Sequence, residues 1–126
     1  AVQAGYTVVT QDVRGRYASE GTFNPHIQET DDGVDMFAWT AAKPWSNGLV
    51  GTFGGSYLGG TQWLPARAQP PALRAMAPSI TFSDGHEGCS YQGGAKVLHD
   101  LRWVVADIVP AEIQRRIARG EKPFGG

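Results

Sequence analysis

Several features are scarce in this sequence, and each scarcity removes a class of protein. There is one cysteine, Cys89, in 126 residues, so no disulfide can form within the chain and the redox compartment stays open. No run of about 18 apolar residues occurs, which leaves no candidate helix for crossing a membrane. A charged stretch followed by an apolar one, as in a secretion signal, is not visible either. Charge of one sign is also missing: 11 Lys and Arg stand against 12 Asp and Glu, for a net charge of -1. Such a balance argues against a nucleic-acid partner. The basic residues are scattered except for Arg115, Arg116 and Arg119, which read as a solvated helix face. No G-x-G-x-x-G is present, which disfavours a dinucleotide fingerprint. At 41% hydrophobic, the chain suits a small globular fold and shows no sign of disorder.

Glycine, by contrast, is abundant, and it gathers around one serine in residues 49–63, LVGTFGGSYLGGTQW. An apolar, strand-like run breaks there and resumes as a helical pattern. Ser56 reads as a nucleophile. A hydroxyl attacks a carbonyl only if its side chain stands clear of the backbone, and a sharp strand-to-helix turn achieves this by straining the serine. Small neighbours make the turn possible, and Gly54, Gly59 and Gly60 supply them, leaving room for helix to pack on strand. The same turn puts the amide of Tyr57 at a helix N-terminus, where an N–H donor and the helix dipole can stabilise an oxyanion. The spacing is G-x-S-x-x-G, with Leu58 where the commoner G-x-S-x-G has its last glycine. Two other readings fit the window. The phosphate loop G-x-x-x-x-G-K-[ST] matches residues 54–61 except that Gly60 replaces the lysine, which removes the main phosphate-binding charge. An ordinary glycine-rich turn with an incidental serine is the other.

Along the chain, residues 6–11 (YTVVTQ) form a short β-branched run that predicts a buried parallel strand. A long loop, 14–30, follows it, and long loops at the ends of parallel strands often line sites. Thr30 is the expected N-cap of a helix, with Asp31 and Asp32 in its first turn, Val34, Phe37, Ala38 and Ala41 on its core face, and Pro44 as its stop. Strands are expected at 49–53 and 73–77, joined by a helix over 57–68 that Pro65 kinks or shortens. Strand, helix, strand, helix, strand is the order of a right-handed parallel sheet. From Ser83 the pattern changes. A polar, glycine-rich stretch to Gly94 precedes an amphipathic helix carrying Val97, Leu98, Leu101, Val104, Val105 and Ile108. A second helix is expected after Pro110, with a Glu112–Arg116 pair and Gly120 as its stop.

With these residues in hand, the chain resembles the cocaine esterase and Xaa-Pro dipeptidyl-peptidase group of serine hydrolases (CocE/NonD, S15 type) in the α/β-hydrolase superfamily. The matches are Gly5-Tyr6, Gln11-Asp12-Val13-Arg14-Gly15-Arg16, Ala18-Ser19-Glu20-Gly21, then Asp35 and Trp39, Gly54-Gly55-Ser56-Tyr57-Leu58-Gly59, Thr61-Gln62-Trp63 and Ala77-Pro78-Ser79. The resemblance implies a partial α/β-hydrolase core of about three parallel strands with flanking helices in residues 1–83. The first helices of a helical cap would follow in 84–126, entered at Gly93-Gly94-Ala95. It also implies Ser56 as the acylated nucleophile and the Tyr57 amide as one oxyanion donor, with Asp12, Arg14 and Ser19 bracing the loop beside the site. The group's other oxyanion donor is a tyrosine upstream of the Asp-x-Arg-Gly strand, and its acid and base follow the cap. An internal piece of a larger hydrolase, inactive by itself, is therefore expected.

His26, His86 and His99 are not taken as the missing base, because the group's order is Ser, Asp, His. Asp84, His86, Glu87 and Cys89 match no zinc spacing. No metal or cofactor is expected. The substrate implied is a small ester, or a short peptide or amide, with no nucleic-acid or membrane partner. A non-catalytic α/β module or truncated product is the competing expectation.

Overall fold

The computed structural model describes residues 1–124 and divides into a unit spanning Ala1–Ser83 and a second that starts at Asp84. The first unit is built on a parallel pair of strands, β1 (Val50–Gly55) and β2 (Leu73–Ser79). Register runs from Val50 opposite Leu73 to Gly55 opposite Ser79, with one irregularity between Val50 and Gly51. Parallel strands need a crossover to join them, and the helix α2 (Tyr57–Ala66) provides it, packing on both strands. The preceding helix, α1 (Glu29–Ala41), lies against α2 and touches β1.

The α1–α2 contact depends on the absence of a side chain. A Cβ on Gly33 would stand 2.6 Å from Cγ of Pro65, so only glycine lets the two helices approach this closely. Pro65 is in turn fully buried, inside α2 rather than beyond its end. Its ring cannot donate to the helix ladder, and the burial against α1 offsets that loss. The helix stops two residues short of the expected Ala68, with Ala68 and Gln69 donating to the carbonyls of Pro65 (3.1 Å) and Ala66 (2.9 Å) in a closing turn.

Three expectations are corrected. Residues 6–11 form no strand: the segment is extended, but among the described residues β1 pairs with β2 alone, so it has no ladder to join. Two parallel strands are present where about three were expected, and Tyr6 and Val8 are exposed. The second correction is the start of α1, which begins at Glu29 with Gln28 as N-cap and no side-chain cap. Thr30 therefore lies inside the first turn, together with Glu29, Asp31 and Asp32. All three acids face the positive end of the helix dipole, which compensates for the missing cap.

The third concerns the second unit. A two-residue turn, Gly93 at φ 56° and Gly94 at φ 82°, joins β3 (Tyr91–Gln92) to β4 (Ala95–Lys96) as an antiparallel hairpin. Both turn residues need positive φ, which glycine holds without strain. Helix then runs without a break where two separate helices were expected. It comprises α3 (Leu98–Trp103), a π-helical stretch (Val104–Ile108) and α4 (Val109–Ala118). Pro110 lies inside this continuous run and cannot donate to its ladder, and the wider π turn just before it accommodates the missing N–H. Gly120 ends α4 as anticipated: it sits at φ 74°, and the amides of Gly120 and Glu121 donate to Ile117 (3.0 Å) and Arg116 (2.9 Å), a Schellman pairing. Leu98, Leu101, Val105 and Ile117 are exposed along this run.

Gly33→Ala tests the helix contact because two effects oppose each other. Alanine in a helix interior is favoured over glycine by about 1 kcal/mol, whereas overpacking a close contact costs about 1–3 kcal/mol. The rigid Pro65 ring cannot swing away, so the variant is expected to be less stable by up to about 2 kcal/mol in denaturant unfolding. A gain in stability would mean that the helices separate freely.

Candidate active site

The chain changes from strand to helix across one residue. β1 ends at Gly55, α2 begins at Tyr57, and Ser56 between them adopts φ 56° and ψ -124°. A non-glycine residue there costs about 1–3 kcal/mol, so the surroundings must hold it. The Ser56 amide donates to the carbonyls of Ser79 (3.0 Å) and Ile80 (3.1 Å) at the end of β2. The Ser56 carbonyl accepts from the amides of Gly59 (2.9 Å) and Gly60 (3.2 Å) in the first turn of α2. With its main chain fixed on both sides, Ser56 is nonetheless exposed. Ile80, one of its acceptors, is itself at φ 46°, unusual for a β-branched residue.

Glycines admit this geometry. Gly54 has φ 150°, and a Cβ there would lie 2.8 Å from that of Leu58. The close packing expected of Gly59 and Gly60 is present, but against residues just past β2 rather than against a strand: added Cβ atoms would meet Thr81 and Phe82 at 2.6 Å.

Two polar residues that the sequence pattern did not single out are buried beside the turn. Gln62 is 3% exposed. Its Nε2 donates to the carbonyls of Gly54 (3.2 Å) and Leu58 (2.9 Å), and its Oε1 accepts from the hydroxyl of Thr52 (2.9 Å). Glu29, 6% exposed, accepts a hydrogen bond from the Tyr57 hydroxyl at Oε1, while its Oε2 is buried without a partner. The detectable signal for Gln62 was a polar side chain four residues after Leu58, on the helix face that meets the strand. For Glu29 there was none, because its partner lies 28 residues away.

Burial, reinforced by the hydrogen bond to Glu29, pushes the Tyr57 hydroxyl well above the ordinary tyrosine range. The ring of His26 lies 4.6 Å from that of Tyr57 and meets Phe82 edge-on at 4.9 Å. His26 is thus a packing partner of the Tyr57 side chain. Arg14 pairs with Asp32 through both Nε and a terminal nitrogen, tying the long loop to α1. Ser19 contributes its backbone amide, donated to the Arg16 carbonyl at 2.9 Å, and Asp12 is exposed. A cleft of about 430 Å³ lined by Val9, Gln11, Asp32, Asp35 and Trp39 among others contains no residue of the serine turn.

A strained, exposed serine thus stands between a parallel strand and a helix in a chain carrying the motifs above, and a family model matches nearly the whole chain. The X-Pro dipeptidyl-peptidase (S15 family) model matches residues 1–124. The chain belongs to the S15 family. Cocaine esterase from a Rhodococcus species is 45% identical over 95 residues, which is 75% of this chain and 17% of that protein. The crystal structure of a CocE/NonD family hydrolase from Staphylococcus aureus superposes with a TM-score of 0.70 at 33% identity, covering 78% of this chain and 18% of that one. The chain thus spans less than a fifth of the length of these two relatives.

In the second unit, the polar side chains considered as metal ligands act on the backbone. Asp84 accepts from the amides of His86 (2.7 Å) and Glu87 (3.2 Å), and Glu87 accepts from the Gly93 amide (3.1 Å). The His86 ring stacks on Tyr91 at 4.5 Å. Partial burial pushes the Cys89 thiol up, away from the thiolate that a metal or a nucleophile would require. Among the described residues, no three His, Cys, Asp or Glu side chains cluster as ligands.

The Tyr57–Glu29 bond makes a signed prediction. A raised folded-state pKa means stability that is whole below the unfolded tyrosine value of about 10 and lost as pH rises from there toward the folded value. Tyr57→Phe should remove that alkaline loss from thermal melts taken between about pH 9 and 12. At neutral pH the same variant should cost about 1–3 kcal/mol, because it leaves Glu29 buried with no donor. An unchanged alkaline profile would show that the hydroxyl is free to ionise in the folded state.

Proposed function

We propose that Ser56 is the nucleophile of a serine hydrolase, seated on a nucleophile elbow, and that the catalytic acid and base lie in sequence outside these 126 residues. The observation that carries this reading is the conformation of Ser56, exposed at φ 56° between β1 and α2. In the reaction, the Ser56 Oγ attacks the substrate carbonyl while its proton passes to the histidine base. The negative charge that develops on the carbonyl oxygen is met by the Tyr57 N–H in the first turn of α2, aided by the helix dipole. Collapse of the tetrahedral intermediate expels the alcohol or amine with that proton. Water then hydrolyses the acyl-enzyme by the same steps, returning the serine.

Esters are the first substrate class, in keeping with the 45% identity to a cocaine esterase. Peptide or N-acyl bonds are the second, in keeping with the family model. Residues 1–83 are read as part of the catalytic core, and 84–126 as the beginning of the helical cap that shapes the acyl site. No cofactor enters this chemistry.

Fluorophosphonate labelling of the full-length protein tests the reading. Ser56 should be the labelled residue, and Ser56→Ala should abolish labelling and lower kcat by at least about 10³-fold. An intact, folded parent that takes no label at Ser56 would instead mark a non-catalytic α/β module. The 126-residue chain by itself should neither label nor turn over substrate, because a serine hydroxyl without its base is a weak nucleophile at neutral pH. Rapid turnover by the purified chain would refute the external base.

A further inference from the structure

The Gln62 amide reaches both sides of the serine turn. Its Nε2 carries two hydrogens, and both are used. One goes to the carbonyl of Gly54, two residues before Ser56, and the other to the carbonyl of Leu58, two residues after it, at 3.2 and 2.9 Å. The opposite end of the amide is fixed as well, because Oε1 accepts from Thr52 Oγ1 at 2.9 Å in β1. A side chain that is 3% exposed and hydrogen-bonded at both ends has no freedom to relax.

We infer that Gln62 is the positioning residue of the site, clamping the end of β1 to the first turn of α2 so that Ser56 keeps its strained backbone and its hydroxyl its aim. This rests on the nucleophile reading of Ser56. A general structural role would be met by any polar residue that satisfies a buried carbonyl. What distinguishes Gln62 is that its two donors join carbonyls on either side of one residue, and that residue is at φ 56°. Strained conformations persist only where their neighbours over-determine them. When the clamp goes, the turn can relax toward ordinary dihedrals and carry the hydroxyl away from an attacking position. Small misplacements of this kind cost up to about 100-fold in rate.

The test uses the full-length protein and compares labelling rate, kcat, KM and thermal melting. Gln62→Leu keeps the bulk and removes all three hydrogen bonds. It should slow fluorophosphonate labelling and kcat together by about 10- to 100-fold, with KM within about twofold and a cooperative melt. If Gln62→Leu does not fold, Thr52→Val carries the test, since it frees only the far end of the amide. It should slow labelling about threefold or more, and Thr52→Ser, which keeps the hydroxyl, should restore the rate. Labelling at the wild-type rate in a folded Gln62→Leu protein, or in Thr52→Val, would overturn the inference while leaving Ser56 as nucleophile. A wild-type parent with no label at Ser56 would remove the nucleophile reading and this one with it.

Discussion

A serine at φ 56° and ψ -124° does not hold itself there. It lies outside the wells open to an L-residue, and the roughly 1–3 kcal/mol involved must come from contacts that favour this conformation over its alternatives. Those contacts come from separate elements: the end of β2 receives the serine amide, the first turn of α2 donates to its carbonyl, and the body of α2 contributes Gln62. The parallel pairing of β1 with β2 is therefore a precondition of the site. Register sets Gly55 opposite Ser79, and only then are the carbonyls of Ser79 and Ile80 within reach of the serine amide. Fold and site are coupled through a single residue.

The tight packing around the turn contributes little hydrophobic burial. Glycines let α2 sit close to Thr81 and Phe82, but a glycine brings no side chain to bury, and Phe37 and Ala72 are the buried hydrophobics among the described residues, with Pro65 beside them. A fully buried Phe contributes about 1.5–3 kcal/mol, so the interior of this unit is modest. Phe53 on β1 and Leu49 before it are exposed, because helix covers one side of the strand pair. Parallel sheets ordinarily bury both faces. The close approach that positions chemistry and the apolar area that stabilises a fold are thus supplied by different residues.

What the sequence made legible follows the range of the interactions involved. The serine turn, α2 and the ends of β1 and β2 are local matters of glycine spacing and apolar runs, and they lie within two residues of where the pattern put them. Residues 6–11 had the composition of a strand and are not one, because a strand is defined by a partner and composition says nothing about partners. Pro110 looked like a boundary between helices. A π turn just upstream, which no periodicity announces, let the helix continue through it. Gln62 stood in the motif as one letter of Thr61-Gln62-Trp63 with no role attached. Its hydrogen bonds to the carbonyls of Gly54 and Leu58 exist only in the folded turn, so no local pattern announces them.

Under the nucleophile reading proposed for Ser56, Tyr57 serves through its main chain and its side chain at once. The amide of a residue following a nucleophile is useful only if it stays put, and a residue at the very start of a helix is where fraying begins. Here the side chain runs the other way, its hydroxyl donating to buried Glu29 in the first turn of α1 and its ring packed at a tilt against His26. Glu29 is held in turn by the helix that packs on α2 through Gly33 and Pro65. The chain of contacts closes on itself: α1 anchors the Tyr57 side chain, the side chain anchors the start of α2, and α2 carries Gln62 back to the strand. A hydroxyl and the next amide stay in fixed relation only within such a loop of constraints, because each residue on its own leaves two backbone dihedrals free.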